Sequence, residues 1–325
     1  MEKIIGVGNA LVDVLARIEG ENILAELSLP KGGMTLIDEE FQKRLSGRMR
    51  TMDTSMAVGG SACNAMLVLA NLGDRPGFLG KVGRDAMGDF FETECRRQGI
   101  EASLVRCDRH TGVANTFITP DGERTFGTCL GAAAQMSADE IAAARLEGYG
   151  LLHVEGYLVQ NHELIESVCS LAKSQGMMVS LDLASYNVVR ADLAFFRHLV
   201  GQYVDIVFAN EEECAAFTGG KQPKEALEEM AGMARVAVVK LGARGACAKS
   251  GDETCMVPAH RVEAVDTTAA GDFFAGGFLH SYVRGESLER CMSTGTLLSA
   301  KVIQVVGTAM SPKAWEEVRE EVIRD

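Results

Sequence analysis

Short apolar runs alternate with segments of helical period along most of this chain, and few architectures accept that pattern. The runs cover residues 4–7, 77–82, 151–154, 178–181, 204–208 and 236–241. Between them, stretches such as 161–175 and 224–233 place apolar side chains at the spacing of an amphipathic helix. This strand–helix rhythm predicts an α/β fold: a doubly wound, mostly parallel sheet with helices on both faces. Two regions break the rhythm. Residues 11–37 and 100–131 read as extended strands rather than helix, the second with a hairpin signal at Pro120-Asp121-Gly122. They could form a small accessory sheet; edge hairpins of no functional consequence fit the residues equally well. With 325 residues, 47 % of them hydrophobic, and no repeat, low-complexity tract or Pro/Ser linker, one core-bearing domain is expected over residues 1–325.

Composition narrows the function. The net charge of −13 and the lack of any Lys/Arg-rich run argue against DNA or RNA as partner. Local anion binding survives this, because helix N-termini and Mg²⁺ supply positive field without a basic surface, and 35 glycines suit tight phosphate-binding turns. Nine scattered cysteines, none spaced as C-x-x-C, argue against a disulfide framework or structural zinc and for a reducing compartment. No signal-like apolar segment opens the chain and no uninterrupted apolar stretch approaches ~20 residues, so a cytoplasmic protein without membrane contact is expected.

The chemistry concentrates at Asp266-Thr267-Thr268-Ala269-Ala270-Gly271-Asp272, where small residues open an apolar helix and place a carboxylate in its first turn. Free N–H groups at a helix start cradle anions, and Asp272 would stand beside a bound phosphate with its pKa held low. An ordinary helix start with an early Asp is the plain alternative. Gly6-Val7-Gly8 begins like a dinucleotide-binding turn, but Asn9-Ala10-Leu11 follows where the third Gly belongs, and no G-x-x-x-x-G-K-[ST] occurs. Asn9 and Asp13 would share a strand face and grip hydroxyls, unless Asp13 is a satisfied structural acid. Gly59-Gly60-Ser61-Ala62-Cys63-Asn64 turns into a helix; its glycines let backbone approach a ligand, and Asn64 can donate and accept. Asn210 and Glu213 begin a helix after a strand, where acidic residues are also common without function. Lys240-Leu241-Gly242-Ala243-Arg244-Gly245 leaves a strand in a turn that a simple hairpin would also show.

In their order along the chain these segments resemble the ribokinase-like (pfkB) carbohydrate and nucleoside kinases, whose signature reads D-T-x-G-A-G-D. Ala269 stands where that signature has Gly, a position often needing positive φ. The resemblance implies the following. The strands of 11–37 and 100–131 form a lid over the substrate. Gly59, Gly60 and Asn64 match a sugar-binding G-G-x-x-x-N element. Asn210 and Glu213 match an N-x-x-E element that organises Mg²⁺, mainly through water. Lys240, Gly242 and Gly245, with Thr268, line the ATP site, and no catalytic role is read for Lys240. Asp272 is the base, and the N–H groups of Ala269, Ala270 and Gly271 hold the developing charge. Residues 111–116 and 124–126 look like the adenosine-kinase branch, in which an Arg matched by Arg124 reaches toward the transferred phosphate. Phe126 and Tyr157 are candidates to sandwich adenine, or aromatics that merely fill a surface. The expected activity is ATP-dependent phosphorylation of a primary hydroxyl on a small sugar or nucleoside, adenosine favoured. A sugar kinase, and less so a non-catalytic ligand sensor, are the competing readings. A monovalent cation such as K⁺ fits the resemblance, and monomer and homodimer both fit the sequence.

Overall fold

Consecutive apolar residues of the main strands point alternately into two separate hydrophobic layers. Ile4 joins one and Ile5 the other, and the same division separates Phe208 from Val207 and Val238 from Val239. A strand covered on both faces has no polar side, which is why these strands read as continuous apolar runs. The computed structural model describes residues 2–120, 123–144 and 146–324.

The described strands are β1 (Ile4–Val7), β2 (Leu11–Arg17), β3 (Met34–Leu36), β4 (Thr54–Gly59), β5 (Gly77–Gly83), β6 (Glu101–Cys107), β7 (Gly112–Ile118), β8 (Arg124–Cys129), β9 (Leu151–Glu155), β10 (Met178–Asp182), β11 (Ile206–Asn210), β12 (Val236–Lys240), β13 (Ala246–Ser250) and β14 (Glu253–Val257). Nine form one sheet in the order β14-β13-β12-β11-β10-β9-β1-β5-β6, and five form a second in the order β3-β8-β7-β2-β4. The large sheet is parallel from β12 through β6 and antiparallel only where β13 and β14 extend its edge. Helices such as His162–Ser174 and Pro223–Ala231 follow its strands, as the periodicity predicts. The protein is an α/β molecule with a doubly wound, mostly parallel sheet and a second, smaller one.

Three expectations about the smaller sheet need correction. Strand β6 lies within 100–131 but pairs in parallel with β5, on the edge of the large sheet. The 11–37 region holds a short helix, Asn22–Glu26, between its strands. Strand β4 lies outside both expected regions and pairs antiparallel with β2. Strands β7 and β8 pair antiparallel, as a hairpin would; Asp121 and Gly122 of the expected turn lie outside the described residues. Along β2 exposure alternates: Val12, Val14 and Ala16 are buried, while Leu11, Asp13 and Leu15 stand on the opposite, more open face.

Strand order reverses beside β1, which pairs with β5 on one side and β9 on the other. Open α/β sheets bind ligands at the carboxyl ends of strands flanking such a reversal. Asn9 follows β1 there, and Glu155, Asp182, Asn210 and Lys240 are the last residues of β9, β10, β11 and β12. Among the described residues no helix is long and apolar enough to cross a membrane.

Candidate active site

A cavity of about 950 Å³ opens at this edge, between the carboxyl ends of the large sheet and the open face of the smaller one. Two helix N-termini meet in it, Ser61–Asn71 and Ala270–Tyr282. They pack closely because Gly276 has no side chain: a Cβ there would lie 2.6 Å from Val68 Cβ and 2.7 Å from Ala65 O. The approach lets one helix hold the carboxylate of the other. Ser61 Oγ donates to Asp272 Oδ1 at 2.7 Å and Asn64 Nδ2 donates to Oδ2 at 2.8 Å. Against the expectation of a low pKa, burial pushes Asp272 up to about 6, with the hydrogen bonds from Asn64 and Ser61 only partly opposing it. Desolvation of the carboxylate outweighs the helix start. The group is therefore a better base near neutrality than the helix position alone implies.

Ala269 precedes the helix with φ 61° and ψ 4°, in the left-handed region. Its turn opens the helix start. Ala270 N–H makes a long 3.3 Å bond to Thr267 O, whereas the N–H groups of Ala269, Gly271 and Asp272 have no backbone partner among the described residues. Thr268 N–H is used, donating to Asp266 Oδ1 at 3.0 Å. Open donors lining a cavity at a helix start suit phosphate oxygens.

The other end of the cavity mixes polar and apolar walls. Asp13, Asn64 and Gln160 bring polar groups, and Leu11, Met34, Leu36 and Phe126 of the smaller sheet bring apolar ones, on the same sheet face as Asp13. Asn64 Oδ1 is buried without a partner among the described residues, so an acceptor is available for a hydroxyl. Burial pushes Asp13 up to about 7, opposed by Arg124 and reinforced by Asp272. Gly59 makes room for Asp13, since a Cβ there would collide with its carboxylate. Gly60, at φ 98°, caps the helix in a conformation that side chains avoid. Asn9 lines the cavity but its amide is engaged: Nδ2 and N–H both donate to Glu155 Oε1, at 2.5 and 2.9 Å. Tyr157 also lines it, its hydroxyl 3.4 Å from Ala184 O. Arg124 does not line it; Nη2 lies 2.9 Å from Asp266 Oδ2, with both side chains buried.

Toward β11 and β12, Asn210 and Glu213 form a reciprocal helix cap. Asn210 Oδ1 accepts from Glu213 N–H at 2.8 Å, while Glu213 accepts from Asn210 N–H and Nδ2, each at 2.7 Å. Burial pushes Glu213 up to about 7, with Lys240 opposing. Lys240 Nζ donates to Asp182 Oδ2 at 2.7 Å. The loop after it turns β12 into the antiparallel β13 and also borders the cavity through Gly242 and Gly245. Gly245 is demanded by neighbouring backbone, because a Cβ would collide with Val257 O; Gly242, at φ 56°, faces open space.

A model of the pfkB family carbohydrate kinases matches residues 30–315. The chain belongs to the pfkB family. A probable sugar kinase from Rhizobium etli CFN 42 superposes with a TM-score of 0.89 at 33 % identity, over 98 % of both chains. The adenosine kinase of Sinorhizobium meliloti gives 0.86 at 32 % identity, over 98 % of this chain and 99 % of that one. The 5-dehydro-2-deoxygluconokinase of Bacillus licheniformis is 28 % identical over 297 residues, 83 % of this chain and 87 % of that protein. This pfkB kinase is a carbohydrate or nucleoside phosphotransferase, and kinases of the family use ATP, generally with Mg²⁺.

Motif reading in this pfkB kinase gave no role to four groups. Ser61 orients Asp272; Glu155 anchors Asn9 and also accepts from Ala62 N–H at 3.0 Å; Asp182 holds Lys240; Asp266 pairs with Arg124. A usable signal existed for each of them: Ser61 and Asp266 stand inside the two helix-opening motifs, and Glu155 and Asp182 directly follow apolar runs at the carboxyl edge of the sheet. The Gly8 that resembled a dinucleotide turn has its reason here as well: a Cβ would collide with Glu155.

Proposed function

We propose that this kinase transfers the γ-phosphoryl group of ATP to a primary hydroxyl of a nucleoside, with adenosine as the favoured acceptor. One observation carries the choice. Met34 and Leu36 of β3 are 52 % and 51 % exposed and, with Leu11 and Phe126, form an apolar stretch on the same open sheet face that carries Asp13. A ribose hydrogen-bonded at the polar end would set its base against that stretch, whereas a free sugar would leave it facing water. The likeness to the Sinorhizobium adenosine kinase supports the same acceptor. A sugar or sugar-acid acceptor is the second reading, favoured by the likeness to the Rhizobium and Bacillus proteins.

In this reading the acceptor hydroxyl lies against Asp272, which Ser61 and Asn64 aim, and gives up its proton there as its oxygen bonds to the γ-phosphorus. Phosphate oxygens sit on the open N–H groups of Ala269 and Gly271. Among the described residues no three acidic, His or Cys side chains gather to hold a metal by themselves. Glu213 and Asn210 would accordingly hold Mg²⁺ through its waters, and the ion when bound would neutralise charge on the phosphates. The smaller sheet would act as a lid that excludes water.

ADP release from Mg-ATP over a panel of adenosine, other nucleosides, ribose, fructose and fructose phosphates tests the proposal. Adenosine is expected to give the highest kcat/KM, and turnover of sugars alone would refute the nucleoside assignment. Asp272→Asn should lower kcat by about 10³-fold with acceptor affinity nearly kept. A rate near wild type in that variant would remove the assigned base.

A further inference from the structure

The cavity is poor in positive charge for a site that must take a triphosphate. Five carboxylates line it: Asp13, Glu155, Asp182, Glu213 and Asp272. His260 and Arg261 border it but are exposed, and Lys240, whose side chain is 15 % exposed, is the cation set into the wall.

Its placement is specific. Lys240 ends β12 in register with Asn210 of β11, and its ammonium reaches across to Asp182, the last residue of β10. Asp182 is itself fixed, because Oδ1 accepts from Ala184 N–H at 2.9 Å while Oδ2 takes the ammonium at 2.7 Å. That single bond leaves two ammonium donors without a protein acceptor among the described residues. The same Nζ lies 3.0 Å from where a Cβ on Gly271 would stand, so the ammonium sits over the open helix start and Gly271 leaves the space between them empty.

We propose that Lys240 is a catalytic residue, its ammonium contacting the γ-phosphoryl group during transfer, and that Asp182 is its positioning partner. This deepens the phosphoryl-transfer reading above and rests on it. The acceptor oxygen bonds to the γ-phosphorus, the bond to the β,γ-bridging oxygen breaks with its electron pair leaving on ADP, and the hydroxyl proton goes to Asp272. Lys240 moves no proton. It stabilises charge on the moving group, beside the helix start that holds the same oxygens.

The test uses the acceptor found in the panel. Lys240→Met should lower kcat by about 100-fold or more, while ADP affinity stays within about threefold, because ADP lacks the group that the ammonium touches. Leaving Asp182 unpaired could itself disturb the fold. The double variant Lys240→Met with Asp182→Asn therefore removes both charges and keeps the acceptor for Ala184 N–H. With a melting temperature near wild type, it should remain as slow as the single variant. A folded double variant within about threefold of wild-type kcat would overturn the proposal, as would loss of ADP and ATP binding in parallel with an unchanged kcat. Acceptor-dependent ADP release by the unaltered protein, measured alongside, tests the kinase reading separately.

Discussion

Ala269 is a non-glycine residue at φ 61° in the loop that opens the helix Ala270–Tyr282, the proposed phosphate cradle. Its methyl group opposes that conformation by ~1 kcal/mol, and the signature that this segment resembles has Gly there. Yet the N–H of Ala269 remains open, as does that of Gly271, so the methyl group does not close the cradle. Replacing it acts on two states at once. Ala269→Gly relieves strain in the folded chain but returns roughly 0.4–1 kcal/mol of conformational entropy to the unfolded one. Chemical denaturation should therefore place the variant within ~1 kcal/mol of wild type, and steady-state kinetics should place kcat within about threefold. A gain far beyond that would mean that Ala269 distorts the cradle. At this scale the sequence was partly legible. A glycine-rich turn and a departure from it can be seen in a string of letters, whereas the raised pKa of Asp272 cannot, because desolvation depends on what the fold packs around the carboxylate.

Strand β3 is three residues long, pairs only with β8 in its sheet, and turns two of its three side chains out as exposed apolar groups, Met34 and Leu36. Apolar side chains on so short an edge strand have little role in holding the sheet, but they suit an acceptor with an aromatic base. Met34→Thr combined with Leu36→Thr should raise KM for the nucleoside by about tenfold or more, from loss of apolar contact, with kcat within about threefold. An unchanged KM would move the base elsewhere in the cavity. The main strands were legible because each is buried on both faces and reads as an apolar run. Strand β6 was not: Glu101-Ala102-Ser103-Leu104-Val105-Arg106-Cys107 is a half-exposed edge strand, and only its pairing with β5 assigns it to the large sheet. Asn64 and Asp272 could be found in helix-opening motifs. Glu155 and Asp182 are single acids far apart in the chain, and strand order alone brings them to one edge.

The molecule as a whole concentrates carboxylates where its sheets and helices converge, on a chain already carrying a net charge of −13. Burial raises Asp272 from 3.8 to about 6, Asp13 from 3.8 to about 7, and Glu155 from 4.5 to about 7. Each of these groups binds its proton more tightly folded than unfolded. Between the unfolded values near 4 and the folded values near 7 the native state therefore holds more protons, and stability falls as pH rises through that window. Partly buried acids outside the cavity act in the opposite direction at lower pH. Asp74 and Asp85 are held below the usual range by hydrogen bonds that outweigh burial, from His280 and Arg284 and from Thr111 and Gly88, so their contribution is lost under stronger acid. The ligand-free protein should thus be most stable near pH 4, where the two trends meet, and should lose stability from there upward. One pK unit corresponds to about 1.4 kcal/mol, so even largely relieved shifts predict a fall on the order of a few kcal/mol by pH 8. Urea midpoints measured from pH 5 to pH 8 without nucleotide check this, and a midpoint that rises across the range would contradict it. Asp272→Asn removes one of these titrations and should flatten the slope. The same charge that destabilises the empty cavity at neutral pH is what leaves Asp272 ionised and able to take a proton, so kcat should rise with pH through about 6 while the ligand-free fold weakens.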